Sequence, residues 1–114
     1  MHEYSVVASL LDLCLEQLES NNAKAISHIV VSVGERANID KTLLVSAFDV
    51  LKVEYKEICN AKIAIITEKL MLECRTCGGD FHSLDNPVCP FCDSRDTFIS
   101  QGRDIRLEKL ELEI

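Results

Sequence analysis

The sequence is short of positive charge. Lys and Arg number 12 against 19 Asp and Glu, a formal net charge of −7 over 114 residues. Such a balance repels phosphate backbones instead of recruiting them, which argues against a nucleic-acid partner. Also missing is any apolar run near the ~20 residues that span a bilayer, because Asp12, Glu16 and Glu19 interrupt the opening hydrophobic stretch. No signal peptide, internal repeat, low-complexity segment or Gly-rich phosphate loop is legible. No nucleophile stands with a paired base, and no two carboxylates are set for acid–base work, so an enzyme is not expected. Free thiols in a chain without export signals point to the cytoplasm.

What is present in plenty is cysteine, and it is ordered. Cys74-Arg75-Thr76-Cys77 is followed after eleven residues by Cys89-Pro90-Phe91-Cys92. Two Cys-x-x-Cys pairs at this separation can wrap one tetrahedral ion, since each pair forms a tight turn that aims both sulfurs inward. Gly78 and Gly79 after the first pair supply backbone freedom, and Asp93 and Ser94 after the second tolerate unusual dihedrals. We read a structural zinc site ahead of iron, a redox dithiol or two disulfides. A chain that is 47 % hydrophobic can bury one modest core, and a second lobe would need a staple, which the zinc would be. His82 lies between the pairs, but four cysteines already complete a shell without it.

Along the chain, Val7, Leu10, Leu11, Cys14 and Leu18 recur at helical spacing and predict a helix from about Tyr4 to Glu19, with Cys14 a small core residue. Ala25 to Gly34 reads as a strand with Ile29, Val31 and Val33 on one face and His28 on the other. A second helix starts after Asp40, its N-cap, and buries Leu44, Ala47, Phe48 and Leu51 on the way to about Glu57. Asp40 could also face an ion near the N-terminus, but capping explains it without further assumption. Ala61 to Thr67 is a further strand, and Leu70 to Glu73 carries the chain into the first knuckle. Phe81, Leu84, Val88, Phe91 and Phe98 offer the metal module a thin core.

Beyond the knuckles, Thr97 to Gln101 and Ile105 to Ile114 read as extended, with Gly102 a bend and a bulge or twist near Lys109. The tail should rejoin the first sheet, because two strands alone make a marginal pair. The expected fold is α+β: a small three-stranded sheet with two helices, plus an inserted zinc-ribbon-like module. Residues 1–72 and 97–114 would form the first domain and 73–96 the second. No role is assigned to Cys59.

The first three residues carry a second chemistry. A His in second position puts an α-amine, an imidazole and the intervening backbone nitrogens within reach of one ion. Such nitrogen-rich, flattened coordination suits Ni(II) or Cu(II) better than zinc. By itself this pattern is weak, and Glu3 could act only as a favourable charge at a helix N-terminus.

Met1-His2-Glu3-Tyr4-Ser5 before a helix, with the late Cys74-x-x-Cys77 and Cys89-x-x-Cys92, resembles the HypA family of hydrogenase nickel-insertion accessory proteins over the whole chain. The resemblance implies transferable nickel at the Met1 amine, His2 and Glu3, and structural zinc at Cys74, Cys77, Cys89 and Cys92. It implies as partners a HypB-like nickel-insertion GTPase, a hydrogenase large-subunit precursor and, in some bacteria, urease maturation proteins. Family members often carry a His close to the cysteine pairs; this chain has His82 but none directly after Cys92. Two other readings stand beside it. One is a zinc-ribbon protein–protein adaptor with an inert N-terminus, and the other a rubredoxin-like electron carrier with iron at the same thiolates.

Overall fold

The computed structural model describes residues 3–83 and 86–114. Helix α1 (Glu3–Ser20) is followed by strand β1 (Ala25–Gly34), helix α2 (Lys41–Leu51) and strands β2 (Lys62–Glu68), β3 (Met71–Cys74), β4 (Asp80–Phe81), β5 (Thr97–Gln101) and β6 (Ile105–Glu113). The strands form two three-stranded sheets, in the orders β2-β1-β6 and β4-β3-β5. The chain divides into two compact units. Unit 1 takes in the described residues up to Ser32, Ile39–Ile66 and Arg106–Ile114; unit 2 takes in Val33–Asn38 and Thr67–Ile105.

Unit 1 follows from its periodicities. The α1 stripe of Val7, Leu10, Leu11, Cys14 and Leu18 is buried, as are Leu44, Ala47 and Phe48 of α2, and the two helices pack on one another. Asp40 caps α2 by accepting the Leu43 N–H at 3.1 Å. β1 is central, with Ile26, Ile29 and Val31 buried. Its partners run in opposite senses. Ile26 N donates to Glu57 O and Glu35 N to Glu68 O, so both numbers rise together and β2 runs parallel to β1. Lys24 N donates to Glu113 O and Gly34 N to Asp104 O, so β6 runs antiparallel. A parallel neighbour needs a crossover, and α2 provides it.

The expected rejoining of the tail to the first sheet is what β6 does. The burial alternation of β6 breaks at Glu108 and Lys109, where the phase of its apolar residues changes.

Two expectations need correction. Helix α2 does not reach Glu57: a single 3-10 turn, Lys52–Glu54, tightens its end, and Tyr55 is extended. The turns that follow bury Ile58 and Ala61, and Lys52 Nζ donates to Ala61 O at 2.9 Å across them. Phe91 is no core residue either. It is 68 % exposed, with its ring over Gly79 at the rim of the site.

In unit 2, β3 is central, pairing antiparallel with β4 through Leu72↔Phe81 and with β5 through Leu72↔Ile99 and Cys74↔Thr97. Leu70, Leu72, Cys74, Phe81 and Cys89 form its core, with Ile99 packed against them. Val88 and Phe98 are half-buried and Leu84 lies outside the described residues. The unit thus draws on more of the chain than residues 73–96, because β3 and β5 bring their own hydrophobic pairs to it.

Candidate metal centre

The two knuckles are built alike. In each, the residue four beyond the first cysteine has positive φ, Gly78 at 76° and Asp93 at 60°, and turns its N–H back to that cysteine's carbonyl at 2.9 Å. Each returning strand is closed by a second bond, Cys74 N to Gly79 O and Cys89 N to Ser94 O. Inside the turns, Cys77 N points at Cys74 Sγ (3.5 Å) and Phe91 N at Cys89 Sγ (3.4 Å). Backbone dipoles aimed at sulfur favour thiolate, the form that binds metal. Side chains tie one knuckle to the other: Thr76 and Ser94 hydroxyls meet at 2.9 Å, and Arg75 pairs with Asp96 at 3.1 Å.

The four sulfurs converge. Cys74 and Cys92 stand 3.6 Å apart, Cys77 and Cys89 likewise, and all four lie within 4.8 Å of one another. A tetrahedron of Zn–S bonds of ~2.3 Å has edges of about 3.8 Å, so the cluster has the size of a zinc shell. Its electrostatics ask for a cation. The Cys77 N–H leads in lowering Cys74, whose thiol titrates at about 6. Cys92, although the Ser94 N–H favours its thiolate, is pushed up to about 12 by desolvation and by the sulfurs of Cys74, Cys77 and Cys89. Four thiolates this close oppose one another's ionisation, and a bound divalent ion removes that opposition. Cys74 and Cys89 are buried, whereas Cys77 and Cys92 face solvent.

Neither remaining thiol joins the cluster. Cys14 is buried in α1, where desolvation raises it to about 11, and Cys59 donates its S–H to Lys56 O at 3.4 Å. His82 is outside it too. Its Nε2 lies 3.1 Å from Glu35 Oε1, and the same oxygen accepts the Leu70 N–H. Sequence reasoning gave Glu35 no part, since nothing local signals a bond to residues 35 and 47 positions away. His28, exposed on β1, pairs with Glu111 at 3.0 Å.

Of the expected nickel ligands, Met1 and His2 lie outside the described residues. Glu3 is described and is 2 % exposed; its Oε2 accepts the backbone N–H of Asp40 at 3.2 Å. The third residue is thereby bonded to the N-cap of α2, 37 positions along the chain.

A family model described as "Hydrogenase/urease nickel incorporation, metallochaperone, hypA" matches residues 1–112. The chain belongs to the HypA family. It is 44 % identical over 114 residues to the hydrogenase/urease maturation factor HypA of Helicobacter pylori, covering 98 % of this chain and 97 % of that protein. It is 38 % identical over 115 residues to the hydrogenase maturation factor HypA of Aquifex aeolicus, covering 100 % and 99 %. The solution structure of the Ni metallochaperone HypA from Helicobacter pylori superposes with a TM-score of 0.79 at 43 % identity, over 99 % of this chain and 98 % of that one. The α+β architecture of the HypA family and a four-cysteine centre compatible with zinc therefore coincide in one chain. Among the described residues, no helix is long and apolar enough to cross a membrane.

Proposed function

We propose that this protein is a nickel metallochaperone that binds Ni(II) at its N-terminus and hands it on during maturation of [NiFe]-hydrogenase or urease, without catalysis of its own. Membership of the HypA family along nearly the whole chain carries this reading. The ion is held by the Met1 amine, the His2 imidazole and the adjoining backbone nitrogens up to Glu3, a donor set suited to flattened Ni(II) coordination. Two strong nitrogen donors and deprotonated amides hold the ion firmly at neutral pH. Acid or a competing set of ligands releases it, which is what transfer requires.

The bond from Glu3 to Asp40 N supports this reading. It fixes the third residue, and with it the start of α1, against the N-cap of α2. Zinc at Cys74, Cys77, Cys89 and Cys92 is structural, organising the second unit while the first carries the transferable metal. The partners of this reading are a HypB-like GTPase and a client precursor, met in the cytoplasm where free thiols persist.

The test is calorimetric titration of nickel into protein with a native start, protein extended by a few residues ahead of Met1, and His2→Ala. Extension turns the amine into an amide, and the substitution removes the imidazole, so each should abolish tight one-to-one binding with zinc content unchanged. Lowering the pH from about 8 to 6 should weaken the native protein too, since amine and imidazole must both lose protons to coordinate. Full affinity in the extended protein would overturn the site and leave the zinc-ribbon adaptor in its place.

A further inference from the structure

Two of the four sulfurs of the metal centre are open to solvent, and the fold decides which two. Cys74 is the last residue of β3 and lies in the core beside Leu72 and Phe81, at 1 % exposure. Cys89 is buried in the same core, at 0 %. The second cysteine of each knuckle, Cys77 or Cys92, sits on the turn that follows and is exposed. The 3.6 Å contacts cross between the knuckles: Cys92 faces Cys74, and Cys77 faces Cys89. Each exposed sulfur therefore has a buried one from the opposite knuckle beside it.

We propose that Cys77 and Cys92 are sites of oxidation by hydrogen peroxide, each resolved by the buried cysteine of the opposite knuckle, with loss of the bound ion. Metal-ligating cysteines are thiolates, the nucleophilic form, and access then selects which of them reacts first. Peroxide is small and uncharged, so the net charge of −7 does not repel it. The Cys92 thiolate attacks one peroxide oxygen, the O–O bond breaks, and hydroxide leaves, with sulfur oxidised by two electrons to a sulfenic acid. The Cys74 thiolate attacks that sulfur, the S–O bond breaks, a second hydroxide leaves, and a Cys74–Cys92 disulfide forms. Cys77 and Cys89 consume a second peroxide in the same way.

Closing 3.6 Å to the ~2.0 Å of a disulfide is a short movement for a side chain on an exposed turn. The four thiolates are then gone, and with them the affinity for a divalent ion. Both disulfides join one knuckle to the other, as the ion did, so the pairing of β3 with β4 and β5 outlasts the loss of metal. Neither remaining thiol competes: Cys14 is buried in α1, and Cys59 donates its S–H to Lys56 O. The proposal rests on the reading of this centre as a zinc site and is independent of where nickel is held.

The test uses the full zinc-loaded chain at neutral pH. Zinc analysis before any oxidant checks the reading of the centre, and absence of zinc at that stage would overturn both. Excess hydrogen peroxide is then added with or without dimedone, which traps sulfenic acids. With dimedone, mass spectrometry should find adducts at Cys77 and Cys92 and none at Cys74, Cys89 or Cys14. Without it, a chromogenic chelator should report loss of the whole zinc content, and a non-reducing digest should contain the Cys74–Cys92 and Cys77–Cys89 disulfides. Amide-exchange protection at Leu72 and Ile99 should persist in the oxidised chain, and a dithiol with added zinc should restore the zinc content. Cys59→Ser should release zinc at the same rate as the native protein. Adducts at the buried cysteines ahead of the exposed ones would overturn the proposal. So would disulfides confined within each knuckle, or zinc retained in full under peroxide.

Discussion

Gly102 offers a test of how tightly the second unit is built. It sits at the bend between β5 and β6 with φ 93°, its N–H donating to Glu68 Oε1 at 2.9 Å and its carbonyl accepting the Arg36 N–H. A Cβ placed there would lie 2.5 Å from Leu70 Cα and 2.6 Å from Lys69 O, and both are backbone atoms with no rotamer to retreat into. Gly102→Ala therefore meets two costs. Positive φ costs an L-residue about 1–2 kcal/mol. Displacing packed backbone by most of an ångström adds about 1–3 kcal/mol, as overpacking does.

Gly78→Ala is the control. It has φ 76° but nothing within 4 Å of an added Cβ, so only the first cost applies. Urea denaturation of both variants at fixed saturating zinc should put the midpoint of Gly102→Ala lower than that of Gly78→Ala by about 1 M, for a slope of about 1–3 kcal/mol/M. Equal stabilities, within about 0.5 kcal/mol, would refute the close approach of residues 102 and 70.

Cys89→Ser should lower zinc content from one ion per chain and remove amide-exchange protection from Thr67–Ile105, since structural zinc contributes about 10–16 kcal/mol of folding free energy. Protection at Leu10 and Leu11 should survive, and its equal collapse would show that the units do not fold separately. The Glu35 carboxyl is held below its ordinary range, first by the Leu70 N–H and then by His82. A depressed folded pKa gives stability that is present above the unfolded value of ~4.3 and lost as pH falls through the folded one. Melting curves from neutral to acidic pH should show the advantage of the native protein over Glu35→Gln shrinking in that acidic window. A margin independent of pH would rule out this contribution.

Much of unit 1 is legible one turn at a time. The stripe from Val7 to Leu18, the β-branched run from Ala25 to Gly34 and the cap at Asp40 are local patterns, and local hydrogen bonding realises them within a residue or so of where they are read. The four cysteines were legible for a related reason: Cys-x-x-Cys sets two sulfurs on one turn before any long-range contact forms. Even Gly78 and Asp93 announce themselves, because few other residues accept a positive φ.

What the chain order could not decide is which distant segments meet. The place of β1 between β2 and β6, the early stop of α2 that buries Ile58, and the exposure of Phe91 all depend on partners many residues away. So do the bonds of Glu35 to Leu70 and His82 and of Glu3 to Asp40. Periodicity carries no information about these partners, since a half-buried strand reads alike whichever neighbour covers it, and a single buried carboxylate leaves no pattern at all. The four-cysteine centre was therefore written in the sequence by itself. The bond between Arg36 N and Gly102 O, which joins the segment after β1 to the bend between β5 and β6, exists only in the folded chain.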